Sequence, residues 1–457
     1  METILVNCSR KSNQIQINIG YAVLINSLKL HGIEHGLIDL IPINPWERMD
    51  YLRKNLSTDR AIYGFGITIG NGQIIQAEEC SKIIKEANPD NIIVYGGPLP
   101  SSSPKILLAN CLCDYVLTGE AENTFPELLK RLLKGEKYPS TDDIPGLYYK
   151  QNGVIRGRVH KKIGTLTKIS NPDYSELDMD FYVGYLKETD QSWEIMASRG
   201  CVGNCTFCYK MVGSGISARQ VDDVLDEMEM IVRNHGLSKF YFVDDNLLAM
   251  EDWCRDFLKR KLERGLDFSF VVQTRIDAIN EELVREGAEN GLVCVSTGVE
   301  VMNQHALDKM RKKITVEQIY EKIALLKRYG VAPSLNFIIG FEWETEADWQ
   351  KMYDLIKDNF AGQVKLNILT PLPNTFIYRQ AKARGLIGDK YEYILNMGDL
   401  YFELIVNMTN EPDERLWYWY NKINSVATRK VVFPASERYL NKLAEHYYQR
   451  FPPGKRL

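Results

Sequence analysis

The sequence predicts an α/β chain: a doubly wound N-terminal domain, a partial (β/α)6 barrel after it, and a mostly helical C-terminal region. Three observations predict it. Short apolar runs alternate with helical patterns over residues 1–136, as in parallel βαβ units. Glycines (Gly70, Gly96, Gly97, Gly119) stand at the ends of those runs, where doubly wound sheets bind ligands. From Trp193 a second series of six βα units occupies about 190 residues, too few for the roughly 250 of a full eight-unit barrel.

In the first domain, strands are expected at 3–7, 36–40, 61–67, 91–95 and 114–117, with helices at 21–30, 77–87 and 125–133. Residues 137–188 change character. Pro139, Pro145, Gly146, Gly153, Gly157 and Pro172 mark a linker with at most a small hairpin. Barrel strands are expected at 193–197, 239–243, 268–273, 293–298, 334–339 and 364–370, within a domain spanning 189–385. Between them lie helical patterns at 218–234, 250–264, 281–290, 316–329 and 346–358. Residues 386–457 form the aromatic-rich C-terminal region, and its rings (Trp417 to Tyr420 among them) read chiefly as helix-packing residues.

Bulk properties narrow the function. A chain of 457 residues predicts two to three domains. A net charge of −4 argues against a nucleic-acid partner, which would call for a basic excess. No apolar run approaches the roughly 18–20 residues of a membrane span. Residues 1–4 enter a strand-like run without a charged-then-apolar leader, so a soluble cytoplasmic protein is expected.

The nine cysteines do not suit a disulfide framework in a chain this long. Six (Cys8, Cys80, Cys111, Cys113, Cys254, Cys294) are scattered in apolar surroundings and read as small buried hydrophobes. The other three crowd into Ser198-Arg-Gly-Cys201-Val-Gly-Asn-Cys205-Thr-Phe-Cys208-Tyr209. Structural zinc usually takes four ligands in two separated pairs. Here no second pair of Cys or His stands at a suitable spacing, and the six histidines are isolated. Thiolates suit iron–sulfur clusters, and three on a cubane leave one iron open to a small chelating molecule. The triplet also follows the first barrel strand, at the face where barrel enzymes place catalytic groups.

CxxxCxxC with an aromatic, Phe207, before its last cysteine resembles the signature of the radical S-adenosylmethionine (SAM) superfamily. The resemblance implies a [4Fe–4S] cluster on Cys201, Cys205 and Cys208. SAM would chelate its open iron and be cleaved to methionine and a 5′-deoxyadenosyl radical. Later strand ends, Asp244-Asp245-Asn246, Gln273-Thr-Arg275, Thr297-Gly-Val-Glu300 and 339–345, look like the corresponding segments of cobalamin-binding radical SAM enzymes. Asp244 or Asp245 is then expected to accept from the SAM amino group. Arg275 would grip its carboxylate in two places; Gln273 and Glu300 would hold ribose hydroxyls. A structural ring of ion pairs at the barrel rim is the alternative for each. Two departures, Phe341-Glu342 where a Pro-containing turn is common and Asn374 where Gly is common, leave the backbone course there open. The basic run 309–313 reads as a solvated face.

Gly64-Phe-Gly66-Ile67-Thr68, Val94-Tyr-Gly96-Gly97-Pro98 and Gly119-Glu120-Ala-Glu122 resemble the Rossmann-like cobalamin-binding domain of the same class, and the likeness runs to about residue 385. The loop 7–14 lacks the histidine that ligates cobalt from below in other cobalamin proteins. Cobalamin is therefore expected base-off, with Thr68, Ile69 and Asn71 toward its lower face. The resemblance implies a cobalamin-dependent radical SAM methyltransferase, carrying methyl through methylcobalamin to an unactivated carbon of a small molecule. Flavodoxin or ferredoxin would supply electrons. A radical cyclase, rearrangement or dehydrogenation enzyme is the second reading, and a non-catalytic corrinoid or Fe–S regulator the third.

Overall fold

Along β1 (Glu2–Asn7) every residue after the first is buried, as a strand covered on both faces of a parallel sheet must be. The computed structural model describes residues 1–8, 15–70, 72–158, 171–210, 215–359, 362–397 and 403–427. In the N-terminal part β1 pairs in parallel with both β2 (Gly36–Asp39) and β3 (Ala61–Gly66). Beyond β3 come β4 (Ile92–Gly96) and β5 (Tyr115–Leu117), also parallel. The order β2-β1-β3-β4-β5 reverses direction between β1 and β3, and open sheets bind ligands at such a switch point.

The expected linker contributes more than a hairpin. β6 (Leu147–Gln151) and β7 (Val154–Gly157) do form one, and it pairs antiparallel with β5, widening the first sheet to seven strands. A helix then covers Met179–Glu188, capped by Asp178, whose carboxylate accepts from Phe181 N at 3.0 Å. Its inward residues are Tyr182, Val183 and Leu186. Six of its ten residues are apolar or aromatic and only three of them point inward, so the pattern names no single face and does not separate helix from loop.

β8 (Trp193–Ile195) opens the second sheet; β9 (Ser198–Arg199) and β10 (Ser217–Ala218) form a two-residue ribbon beside it. β11 (Lys239–Phe242), β12 (Ser269–Arg275), β13 (Leu292–Glu300), β14 (Ala332–Ile339) and β15 (Gln363–Ile368) follow in sequential spatial order, all parallel. Parallel neighbours in chain order with helices between them are the barrel pattern, and six of its eight units give an open, curled sheet. Asn374 takes φ +70, the left-handed region that asparagine tolerates best after glycine. The chain after β15 thus bends as a glycine would let it.

One hydrophobic core runs through both sheets. A second covers the other face of the first sheet, with Leu5, Ile62, Val94 and Phe125. Between the sheets, Tyr182 Oη donates to Asp39 Oδ2 at 2.7 Å, and Tyr174 meets Trp193 edge-on at 5.2 Å. No helix among the described residues is long and apolar enough to cross a membrane.

Candidate functional site

Pairing of β9 with β10 closes a loop whose described part, 200–210, carries all three clustered cysteines. Polar side chains of neighbouring strands pin it from below. Asp244, at the end of β11 and 1% exposed, accepts from Ser198 Oγ at 2.5 Å and Ala197 N at 3.2 Å. Burial raises its pKa to about 7, against the pull of those hydrogen bonds. Asp245 accepts from Gly200 N at 3.1 Å; burial raises its pKa too, opposed by that bond and by Lys210. Lys210 donates back to the Gly203 carbonyl. Asn246 Oδ1 receives Thr274 Oγ1 at 2.8 Å and Arg275 N at 2.9 Å. All three residues expected near SAM thus hold backbone, and Asp245 is the one that holds the cysteine loop itself.

Cys201 and Cys205 are half-buried, and Cys208 is open to solvent. Enough protein still surrounds Cys208 that loss of hydration raises its thiol pKa to about 12, with repulsion from Cys205, Asp245, Cys201 and Glu300 adding to it. Cys208 thus lies within electrostatic reach of two other thiols and two carboxylates, where extra negative charge is costly. Among the described residues no three Cys, His, Asp or Glu side chains meet at one point, as a single metal ion would require. A cubane puts each thiolate on its own iron, so three sulfurs spread along a loop suit it. Phe207 turns inward and meets Phe341 edge-on at 5.7 Å, and Phe341 stacks on Trp343.

The remaining expected residues line the strand ends. Gln273 Oε1 accepts from Tyr241 Oη at 3.1 Å. Thr297 Oγ1 is buried without a protein partner. Glu300, at φ +68 beside a register shift in β13, is buried against Lys312 Nζ at 2.5 Å. Lys312 is 4% exposed, so the basic run 309–313 is not wholly a solvated face. Arg275 gives Nε and Nη2 to Asp277, both at 2.9 Å, Nη2 also to the Lys312 carbonyl at 2.5 Å, and Nη1 to Cys205 Sγ at 3.3 Å. A cavity of about 480 Å³ adjoins this corner, with Val202, Asn246, Arg275, Asp277 and Lys322 in its wall.

At the first sheet's switch point, Thr68 gives its N–H and hydroxyl to Gln73 Oε1, each at 2.8 Å, and Gln73 Nε2 donates to the Cys8 carbonyl. Ile69 is half-buried beside it; Asn71 lies outside the described residues. Gly97 takes φ +97, and a Cβ there would sit 2.8 Å from the Ile67 carbonyl oxygen. A Cβ on Gly96 would meet only the Phe65 and Leu117 carbonyls, both at 3.9 Å, so this strand end is the less crowded of the two. Ser101 Oγ bridges the Gly97 carbonyl and Gly119 N, and the Tyr209 hydroxyl, next to the last cluster cysteine, lies near the same serine.

The two sites meet through Arg199. Its Nη1 donates to Glu120 at 3.1 Å and to Glu122, with side-chain exposures of 17% for Arg199 and 10% and 11% for the two glutamates. Burial and Glu122 raise the Glu120 pKa, and Arg199 opposes them. These glutamates, expected at a corrinoid, hold the residue that leads into Gly200 and Cys201. The signal is present in sequence as Arg199 two positions before Cys201 and two carboxylates two positions apart, but nothing in it pairs segments 79 and 77 positions apart.

A doubly wound domain followed by a curled parallel half-barrel, with a cysteine triplet after the barrel's first strand, defines a radical SAM enzyme with a cobalamin-type domain. The family models agree: residues 195–356 match the radical SAM superfamily and residues 9–129 the B12 binding domain. An uncharacterized methyltransferase of Pyrococcus horikoshii is 30% identical over 326 residues, 70% of each chain. The anaerobic magnesium-protoporphyrin IX monomethyl ester cyclase of Rubrivivax gelatinosus is 27% identical over 72% of this chain, which spans 59% of that one. The radical SAM methyltransferase TsrM of Kitasatospora setae, solved with cobalamin and a [4Fe–4S] cluster, superposes with TM-score 0.70 over 84% of this chain and 75% of its own, at 17% identity, and so shares the fold. The chain belongs to the radical SAM superfamily, in its B12-binding branch.

Proposed function

We propose that this chain is a cobalamin-dependent radical SAM methyltransferase that methylates an unactivated carbon of a small molecule. The observation that carries the reading is the junction of the two loops. Arg199, which leads into the cysteine loop, is gripped by Glu120 and Glu122 of the first domain, and Tyr209 lies near Ser101 beside Gly97. Methyl transfer to a carbon radical needs both cofactors to address one substrate, and these contacts bring their loops together.

When bound, the cluster would supply the electron that cleaves SAM, and the corrinoid would supply the methyl group. The chain's own part is to hold and orient. Cys201, Cys205 and Cys208 would each hold one iron. Asp245 and Lys210 fix the loop between them through Gly200 and Gly203. Phe207 and Phe341 wall off water on the barrel side. Thr297, with its buried free hydroxyl, and Gln273 are suited to ribose hydroxyls. Gly96, Gly97 and Gly119 at the strand ends, with Thr68 and Ile69 beside them, would hold a corrin, base-off, since the loop 7–14 has no histidine for cobalt.

Turnover of anaerobically reconstituted enzyme with methyl-deuterated SAM tests the reading, with candidate substrates screened by mass. A labelled product supports it. 5′-Deoxyadenosine accompanied by an unlabelled product would replace it with a radical cyclase or rearrangement, a reaction class with a named relative. Failure to take up corrinoid with an intact cluster would remove the cobalamin part. Cys208→Ala is expected to abolish SAM cleavage.

A further inference from the structure

The Arg275 guanidinium has five N–H groups, and the geometry spends four of them. Nε and one Nη2 hydrogen clamp Asp277; the other Nη2 hydrogen goes to the Lys312 carbonyl; one Nη1 hydrogen goes to Cys205 Sγ. A two-point grip on an incoming carboxylate needs two parallel N–H groups, and one is left. The Arg275 backbone N–H is fixed as well, by Asn246 Oδ1. The cysteine loop is cut to admit this side chain: a Cβ on Gly203 would stand 2.8 Å from Arg275 Nη1 and 3.3 Å from Cys201 Sγ. Arg275, Asp277 and Gly203 thus form one arrangement whose single outlet is a donor aimed at a cysteine sulfur.

Hydrogen bonds to ligand sulfurs and nearby net charge set the potential of an iron–sulfur cluster. We propose that Arg275 is a positioning residue for the cluster rather than a SAM ligand: held by Asp277, it donates to Cys205 sulfur and raises the cluster's reduction potential. The inference rests on Cys201, Cys205 and Cys208 holding that cluster. Reduction adds one electron from the external donor and breaks no bond. Positive charge beside the sulfur favours the reduced state, and the Asp277 carboxylate tempers it.

The two partners therefore act with opposite sign. Full-length protein, reconstituted anaerobically and free of SAM, is titrated with redox mediators while the reduced cluster is followed by electron paramagnetic resonance. Arg275→Gln is expected to lower the reduced-to-oxidised ratio at fixed potential about tenfold, about 59 mV for a one-electron couple. Asp277→Asn is expected to raise it. A merely structural role would not move the two in opposite directions. If Arg275→Gln does not fold or hold iron, Asp277→Asn and Arg275→Lys decide: unchanged potentials in both overturn the proposal. Unchanged potential in Arg275→Gln with weakened SAM binding overturns it in favour of carboxylate recognition. Iron and sulfide content of the wild type is read first; a chain that takes up neither overturns the cysteine assignment itself, and with it this inference.

Discussion

Replacing Arg199 by alanine tests the junction between the two loops. One guanidinium nitrogen serves both Glu120 and Glu122, and all three side chains are at most 17% exposed. Removing it leaves two like charges facing each other out of water, and breaking a buried pair from one side costs about 3–5 kcal/mol. An exposed pair gives the scale: Arg53 and Asp50 are 55% and 71% exposed, and Asp50→Asn should cost at most about 0.5 kcal/mol. The loss also has a sign in pH. Glu120 has a folded pKa above its unfolded value, so its contribution is complete below the unfolded pKa and is lost as pH rises through the folded one. Arg199 is the cause opposing that rise, so without it the folded pKa climbs and the deficit grows toward alkaline pH. Urea unfolding followed by circular dichroism at pH 5 and pH 8 reads both effects, given an unchanged slope. A deficit under about 1 kcal/mol, or one equal at both pH values, would refute a buried, charge-coupled junction. Adding Glu122→Gln to Arg199→Ala should return part of the loss.

Three further outcomes are expected. Gly97→Ala meets both a left-handed φ and the Ile67 carbonyl, so it should cost about 2–4 kcal/mol in denaturant unfolding and weaken corrinoid uptake, whereas strain-free substitution there would contradict the described turn. Glu344 is 5% exposed and accepts from Gly340 N and Phe341 N at 2.7 Å; burial lifts its pKa to about 8. Its stabilising contribution is therefore whole near pH 4 and is lost as pH climbs through 8, and Glu344→Gln should flatten the stability–pH curve across that window. Arg219, 2% exposed, binds Glu227 at 2.6 Å, the Met196 carbonyl and Asn171, so Arg219→Met should destabilise by about 3–5 kcal/mol in the same unfolding assay; a neutral result would mean the network relaxes freely.

Elements that depend on local pattern were legible in the sequence. The expected strand at 293–298 appears as Leu292–Glu300 and that at 239–243 as Lys239–Phe242, because apolar runs between glycines carry their own signal. The cysteine spacing was legible for the same reason. What escaped depends on partners far away in the chain. Arg275 is expected to grip a carboxylate, and the local pattern does not show its bonds to Cys205 and the Lys312 carbonyl, 70 and 37 positions away. Asp244 is expected near an ammonium group, and its bonds to Ser198 and Ala197, 46 and 47 positions earlier, are likewise not written locally. Lys312 sat inside a charged run whose average hid the one member turned inward toward Glu300. Charge type is written locally; which charge answers it is decided by the fold.

The apolar core shared by the two sheets has a consequence for how the halves of the molecule move. Domains joined by small polar contacts swing about a linker. Here Tyr174, Tyr182 and Leu186 of the connecting segment belong to the same packed interior as β1 and β8. A wide hinge opening would wet that interior, and a cut near residue 188 would leave two fragments with raw apolar faces rather than two folded proteins. Rearrangement is therefore expected in the loops above the strand ends rather than in the frame beneath them.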